Sequence, residues 1–152
     1  MKRLILTLIA VSLFGCGGGG GGGTSTGGGG GGGGTATSKS YKLSLQGSIS
    51  AGSVGAVQFD LLLPASITTK PDISRSGVAP SGALVTAGFT SGALNVGAIS
   101  APTGFSSGEF ATIVCPIPAG IVTPSPAEFG IRNLTVFDES GNSLGGVTVT
   151  IN

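Results

Sequence analysis

The side chains that could do acid–base chemistry are few in this sequence of 152 residues. Six residues are acidic: Asp60, Asp72, Glu109, Glu128, Asp138 and Glu139. A glycosidase needs two carboxylates held about 5–9.5 Å apart across its sugar. Asp60 alternates with Phe59 along a strand-like run and should face solvent, while Glu109 and Glu128 stand alone where such runs begin. The sequence therefore predicts no catalytic pair, and we expect a protein that is not an enzyme.

Histidine is absent from the sequence, which removes the commonest general base, the usual zinc ligand and the Ser-His-Asp triad. Cys115 is the one thiol between residues 39 and 152, so no disulfide can form within that part. It lies in the apolar run ATIVCPIP, with no cationic neighbour in sequence to lower its pKa. We interpret it as a small buried hydrophobic residue; the alternative is a reactive thiol or an intermolecular bridge.

Residues 138–142, DESGN, invite comparison with a calcium-binding loop. An EF-hand loop needs glycine at its sixth position and glutamate at its twelfth. Counted from Asp138, those positions hold Ser143 and Val149, so the motif fails and a turn capped by the aspartate is predicted. The glycine-rich stretches lack the lysine of a phosphate-binding loop. We expect no metal ion and no cofactor.

The N-terminal sequence, MKRLILTLIAVSLFGC, has the two parts of an export signal. Lys2 and Arg3 form a basic start, and residues 4–14 form an apolar run too short to stay in a bilayer as a spanning helix. The run ends in Leu13-Phe14-Gly15-Cys16, which resembles the bacterial lipobox. That resemblance implies a signal peptide over residues 1–15 and a lipid on Cys16. An ordinary secretory signal cleaved elsewhere is the alternative.

Residue Gly17 follows the cysteine, and the sorting rule of lipoproteins retains those with aspartate there at the inner membrane. The resemblance therefore implies the outer membrane or the cell surface. Residues 17–34 are glycine except for Thr24, Ser25 and Thr26. Glycine has no side chain to bury, so residues 16–38 are predicted to be a lipidated cysteine followed by a flexible tether. Its root-mean-square reach is on the order of 25 Å.

Residues 39–152 make up one domain's length. Removing Lys2 and Arg3 from the seven basic residues leaves five against six acidic ones, a net charge of about −1. No basic stripe is present, which argues against nucleic acid as a partner.

Short runs rich in valine, isoleucine, threonine and leucine alternate with glycine, proline and serine, a pattern that predicts an all-β domain. Inward alternation is expected at Tyr41, Leu43 and Leu45, in the second run at Val57, Phe59 and Leu61, and in the last run at Val147, Val149 and Ile151. The runs on either side of Ser91-Gly92 should form either a hairpin or two strands that switch sheets, and those on either side of 139–145 should form a hairpin. The run GEFATIVCPI should be a central strand. About eight or nine short strands are expected, arranged as a β-sandwich or jelly roll.

Two further expectations concern the loop regions and the core. Residues 70–82 should form a long loop with at most one short strand, around Val78. The aromatic core should be filled by six phenylalanines, one of them (Phe105) in a loop rich in glycine and serine: Phe59, Phe89, Phe105, Phe110, Phe129 and Phe137.

Three segments in order resemble a cohesin module: GAVQFDLLLP (55–64), SSGEFATIVCPIPAG (106–120) and FGIRNLTVFDESGNSLGGVTVTIN (129–152). The resemblance implies a cohesin-like domain over residues 39–152, built as a jelly-roll β-sandwich of about nine strands and related in fold to carbohydrate-binding modules. It also implies a non-catalytic role in protein–protein docking, with dockerin-bearing enzymes as partners and polysaccharide degradation as the context.

The functional expectation is a membrane-anchored lipoprotein that docks another protein. One alternative is a carbohydrate-binding module, for which only Tyr41 and exposed phenylalanines could stack on a sugar. The other is a structural lipoprotein of the envelope or matrix without a small ligand. The sequence alone names no residue of the binding face.

Overall fold

The computed structural model describes residues 35–100 and 102–152. The predicted signal peptide, Cys16 and residues 17–34 of the predicted tether lie outside the described residues. Thr37 and Ser38, which the sequence assigned to the tether, belong to the first strand. Within the described residues, no helix has the length and apolar character needed to cross a membrane.

The described residues form a sandwich of two antiparallel sheets, which confirms the predicted all-β fold. The first sheet has the strand order β3-β6-β1-β8, and the second has the order β4-β5-β2-β7. Eight strands are present among these residues, within the eight or nine predicted from the sequence pattern and close to the nine that the cohesin resemblance implies. Their bounds are β1 Thr37–Gly47, β2 Val54–Leu62, β3 Asp72–Arg75, β4 Leu84–Thr90, β5 Ala93–Ile99, β6 Gly108–Ile117, β7 Gly130–Asp138 and β8 Val147–Ile151. A single 3-10 turn, Pro126–Glu128, precedes β7.

The strand directions define two ends of the sandwich. We call the end at which β1 begins, at Thr37, the tether end; β2 finishes there at Leu62 and β6 at Ile117. We call the opposite end, at which β1 finishes and β2 begins, the far end. β7 finishes at Asp138 at the far end as well.

The core lies between the sheets and follows the predicted alternation. Leu43, Leu45, Phe59 and Leu61 are fully buried, as is Ile113 on the central strand β6. On β8, Val149 is buried, while Val147 and Ile151 pack against the core at its margin. The predicted hairpin around Ser91-Gly92 is confirmed, because β4 and β5 pair from Thr90–Ala93 to Leu84–Ile99.

The phenylalanines fill the core with one exception. Phe59, Phe105, Phe110 and Phe129 are buried, and Phe89 packs against the core from a half-buried position. Phe105 is fully buried because its loop pairs with Val54 through two backbone hydrogen bonds. Phe137 is the wrong prediction: Val136 beside it is buried, so Phe137 lies on the opposite face of β7 and outside the core.

Two local predictions are also wrong. β7 and β8 do not form a hairpin, since β7 pairs with β2 and β8 pairs with β1 in the other sheet. The turn after Asp138 is real, with Asp138 N–H donating to the Asn142 carbonyl at 2.8 Å, but the chain then crosses between the sheets. The short strand within 70–82 lies at Asp72–Arg75 instead of around Val78, which is 49% exposed.

Tyr41 ties the core to the loop before β7. Its ring is 1% exposed and lies 4.7 Å from the Phe129 ring, centroid to centroid. Its hydroxyl donates a 2.6 Å hydrogen bond to the carbonyl of Pro124. A buried phenol must find such an acceptor, because an unpaired hydroxyl would cost free energy in the core.

The substitution Tyr41→Phe should therefore lower the free energy of unfolding by about 1–2 kcal/mol, because it keeps the ring and leaves the Pro124 carbonyl without its donor. Urea unfolding of residues 35–152 measures this change. Ser40→Ala, at an exposed neighbour in β1, is the control and should shift stability by less than about 0.5 kcal/mol. Equal midpoints for the two variants would contradict the role given to the hydroxyl.

Candidate functional site

An apolar row crosses the outer face of the second sheet near the far end. The strand register sets Leu84 beside Ile99, Ile99 beside Ala56, and Ala56 beside Phe137. Residues paired across antiparallel strands share a face, so these four side chains form one line across all four strands. We call them the outer row. Leu84 is 60% exposed and Ile99 58% exposed, although both are large and apolar.

A cleft of about 480 Å³ lies at the β7 end of the outer row. Ala56, Ile99 and Phe137 form its apolar wall, and Asp138 and Glu139 are among its polar lining. Its volume falls within the range of about 300–1,000 Å³ typical of small-molecule pockets. It could equally receive one or two side chains of a protein partner.

Gly55 is a glycine because the cleft wall approaches its backbone. A Cβ atom at this position would lie 2.7 Å from the Asp138 carbonyl oxygen and 2.9 Å from the Glu139 Cα. Both contacts are with backbone, so a larger residue would push the end of β7 away from β2. The close approach fixes the position of Asp138 and Glu139, which we call the acidic rim, relative to the outer row.

The acidic rim is internally hydrogen-bonded. Asp138 Oδ1 accepts from the backbone N–H groups of Ser140 and Asn142, both at 2.8 Å, and Asn142 Nδ2 donates to Asp138 Oδ2 at 2.9 Å. The bond from the Asn142 side chain, followed by those from the backbone, lowers the pKa of Asp138. Glu139 Oε1 accepts from the Gly104 N–H at 2.8 Å. The predicted aspartate-capped turn is therefore confirmed.

A polar cluster occupies the middle of the same outer face. Asp60 accepts hydrogen bonds from Asn95 Nδ2 at 2.8 Å and from Asn133 Nδ2 at 2.6 Å. These two bonds, Asn95 first, lower the pKa of the Asp60 carboxyl and keep it ionised. Arg132 stands opposite Asp60 in the strand register. The face thus presents a fixed negative charge between two amides, with a cation beside it.

The backbone of β7 bends to place Asn133 in this cluster. The register between β2 and β7 shifts between Gln58 and Asp60, which marks a bulge, and Asn133 has φ of 54°. Asparagine tolerates this left-handed conformation better than other residues that carry a side chain. Bulges redirect side chains at functional faces, and here the bulge turns the Asn133 amide toward Asp60.

The acidic residues considered for catalysis are each held by different partners. Glu109 lies 2.8 Å from Lys42 Nζ and accepts from Ser76 Oγ at 2.7 Å. The hydrogen bond from Lys42 is the largest cause of its lowered pKa. Glu128 accepts from the Ser125 N–H at 2.7 Å and so caps the 3-10 turn. These carboxylates stabilise local structure, and no group of carboxylate or cysteine side chains within residues 35–100 and 102–152 could hold a metal ion.

The two other residues singled out from the sequence are buried. Tyr41 is in the core, where its ring cannot stack on a sugar. Cys115 is also fully buried, and burial raises the pKa of its thiol from 9.0 to about 11. The interpretation of Cys115 as a buried hydrophobic residue is confirmed.

Sequence reasoning missed the outer row. In the sequence, the sign of this row is that Leu84, Ile99 and Phe137 are large and apolar although they occupy the outward-facing positions of their strands. Recognising them as one row requires the register between strands, which the sequence does not state. No protein-family model, curated protein or solved structure gives a significant match to this chain.

We expect Cys115 to resist thiol reagents in the folded domain. At pH 8 the raised pKa alone lowers the thiolate fraction about 100-fold relative to an ordinary cysteine, and the absence of solvent contact slows the reaction further. Labelling of residues 35–152 with a chromogenic disulfide, with and without urea, measures this. Rapid labelling without urea would contradict the buried position.

The same thiol should make stability fall at high pH. A pKa that is higher in the folded state favours folding while the thiol is protonated; this contribution is complete below about pH 9 and is lost as the pH rises toward 11. Urea unfolding at a series of pH values measures the decline. Cys115→Ala should remove that part of the decline, which separates it from the titration of tyrosine and lysine.

Proposed function

We propose that this chain is a membrane-anchored surface lipoprotein whose β-sandwich is a non-catalytic docking module. The partner is a protein, and it binds the outer face of the β4-β5-β2-β7 sheet. The observation that carries this proposal is the outer row, in which Leu84 and Ile99 expose more than half of their surface.

The outer face has the composition of a protein interface. Interfaces place apolar side chains at their centre and hydrogen-bonding groups around them. Here the outer row and the cleft beside Phe137 supply the apolar part. Asp60, Asn95 and Asn133 supply groups already fixed by mutual hydrogen bonds, so a partner would not have to order them on binding.

The position of this face suits docking from a membrane. The chain enters the sandwich at the tether end, and the outer row lies near the far end. A partner arriving from solution therefore meets the row at the end of the sandwich away from the chain entry. A glycine-rich tether would keep the module near the surface and let it reorient toward the arriving partner.

The cohesin resemblance suggests which protein is bound. The three resembling segments include β2, β6, β7 and β8, so they contribute one central strand and one edge strand to each sheet. A cohesin-like module would dock a dockerin-bearing enzyme in a system that degrades polysaccharides. Because dockerins require calcium to fold, calcium would be needed by the partner and not by this chain.

The alternatives receive less support from the described residues. A carbohydrate-binding module would need an exposed aromatic platform, and Tyr41 is buried. Phe137 and Phe89 are half-buried and lie toward opposite ends of the second sheet. A structural envelope lipoprotein would use the outer face for self-association, which light scattering would reveal.

We expect the immobilised sandwich, residues 35–152, to capture a protein from the secretome of its own organism in the presence of calcium. Leu84→Asp and Ile99→Asp should each reduce capture about tenfold, equal to roughly 1.4 kcal/mol, because each places a charge in the apolar centre of the interface. Both side chains are exposed, so neither substitution opens a cavity in the core.

Val78→Asp is the matched control, because Val78 is 49% exposed but lies outside the outer row; it should leave capture unchanged. Capture that survives removal of calcium would keep protein docking and exclude a dockerin. If nothing is captured, or if the three aspartate variants behave alike, the proposed docking face is wrong.

A further inference from the structure

A second exposed apolar feature lies at the tether end, in the turn that follows β6. All residues from 118 to 123 are exposed, and none of them is charged. Ile121 is 44% exposed and Val122 is 87% exposed. We call residues 118–123 the apolar turn. It is separate from the outer row, which lies toward the other end of the sandwich.

The apolar turn is held in a defined shape. Its start is closed by a hydrogen bond from the Ile121 N–H to the Pro118 carbonyl at 3.2 Å, and Gly120 has φ of 79°. Its exit is fixed at Pro124, which is buried and whose carbonyl accepts the hydrogen bond from the Tyr41 hydroxyl. With both ends fixed, Val122 stays presented to solvent and does not fold back onto the sandwich.

The position of this turn in the fold indicates what could cover it. Ile117, the residue just before the turn, is paired with Thr37, the first residue of β1. The turn and the chain entry are therefore neighbours. The chain that leads back to Cys16 therefore leaves the sandwich beside Ile121 and Val122.

We propose that Ile121 and Val122 insert into the bilayer surface and set the orientation of the sandwich on the membrane. The inference rests on the proposed lipid anchoring through Cys16. Two apolar side chains bind a bilayer too weakly to recruit a protein alone. Beside an anchor they need only bias an orientation, and the second contact acts at high effective concentration.

The contact is apolar in character. Lys39 and Lys70 lie near this end together with Asp72 and Glu128, so these charged groups balance. Charged lipid headgroups would therefore add little attraction. The contact should be equally strong on zwitterionic and anionic membranes.

The chain contains no tryptophan, which allows a clean test of depth. The full lipidated chain carrying Val122→Trp is reconstituted into phosphatidylcholine vesicles with brominated acyl chains, which quench tryptophan on contact. Val78→Trp is the matched control, since Val78 is an exposed valine near Glu109 and Gly108 toward the far end. We expect Val122→Trp to lose most of its emission and Val78→Trp to keep it.

The outcomes separate this inference from the anchor it rests on. If the chain fails to float with the vesicles, the proposed anchoring is wrong and the inference fails with it. If the chain floats but both tryptophans emit alike, the anchor stands and the membrane contact of the apolar turn is wrong. Blue-shifted emission from Val122→Trp that depends on protein concentration without vesicles would show contact between two copies and would also overturn it.

A stability control accompanies the quenching. Urea unfolding should give the same midpoint for Val122→Trp and Val78→Trp, because both side chains are exposed and neither belongs to the core. A second comparison uses Ile121→Trp with and without Val122→Ser. The double variant should be quenched less than Ile121→Trp alone, because it has lost one of the two inserted side chains. Equal quenching of these two would contradict insertion of the pair.

Discussion

The register of β2 between β5 and β7 is the constraint on which both the core and the outer face depend. β2 is paired along its length on both sides, with Phe59 opposite Val96 and Leu61 opposite Leu94. Its inward side chains are among the most buried of the domain. A shift of the β2 pairing by one residue would turn Phe59 outward and Asp60 inward. The apolar burial of Phe59 would be lost, and a carboxylate would be placed in the core. The same pairing therefore places Ala56, Gln58 and Asp60 in line on the outside.

Both sheets contain irregularities at which the pairing register between two strands shifts. The first sheet shifts between Leu43 and Ser44 of β1, and the second shifts between Val54 and Ala56 and again beside Asp60. The shift beside Asp60 is compensated by Asn133 in its left-handed conformation, whose amide donates a hydrogen bond to the Asp60 carboxylate. The irregular backbone at Asn133 brings the Asn133 amide to Asp60. The hydrogen bond between them in turn stabilises that irregular backbone.

The parts of the fold that depend on local pattern could be predicted from the sequence. Alternation at Tyr41, Leu43 and Leu45 identifies a strand with one buried face, and Ser91-Gly92 identifies a tight hairpin. The failures concern pairing between distant segments. The turn at Asp138 looks like the centre of a hairpin, yet β8 buries Val149 only by pairing with β1 in the other sheet. Phe137 was expected in the core for the same reason and lies outside it, because Val136 and not Phe137 faces inward where β7 pairs with β2. Phe105 is in the core as expected, held there by a bridge to Val54. The outer row could not be predicted, since its four members come together only through three separate strand pairings.

The place of β1 inside its sheet has a mechanical consequence. A pull transmitted from a membrane would enter the domain at Thr37 and run along β1, which is paired with β6 over most of its length and with β8 over its second half. Hydrogen bonds between antiparallel strands lie perpendicular to the strand axis. A force along β1 therefore loads many of them in shear at the same time. An edge strand pulled away sideways would instead lose its hydrogen bonds one by one. A strand loaded in this way would resist being drawn out of its sheet, so force applied at Thr37 meets the most strongly paired part of the sandwich first.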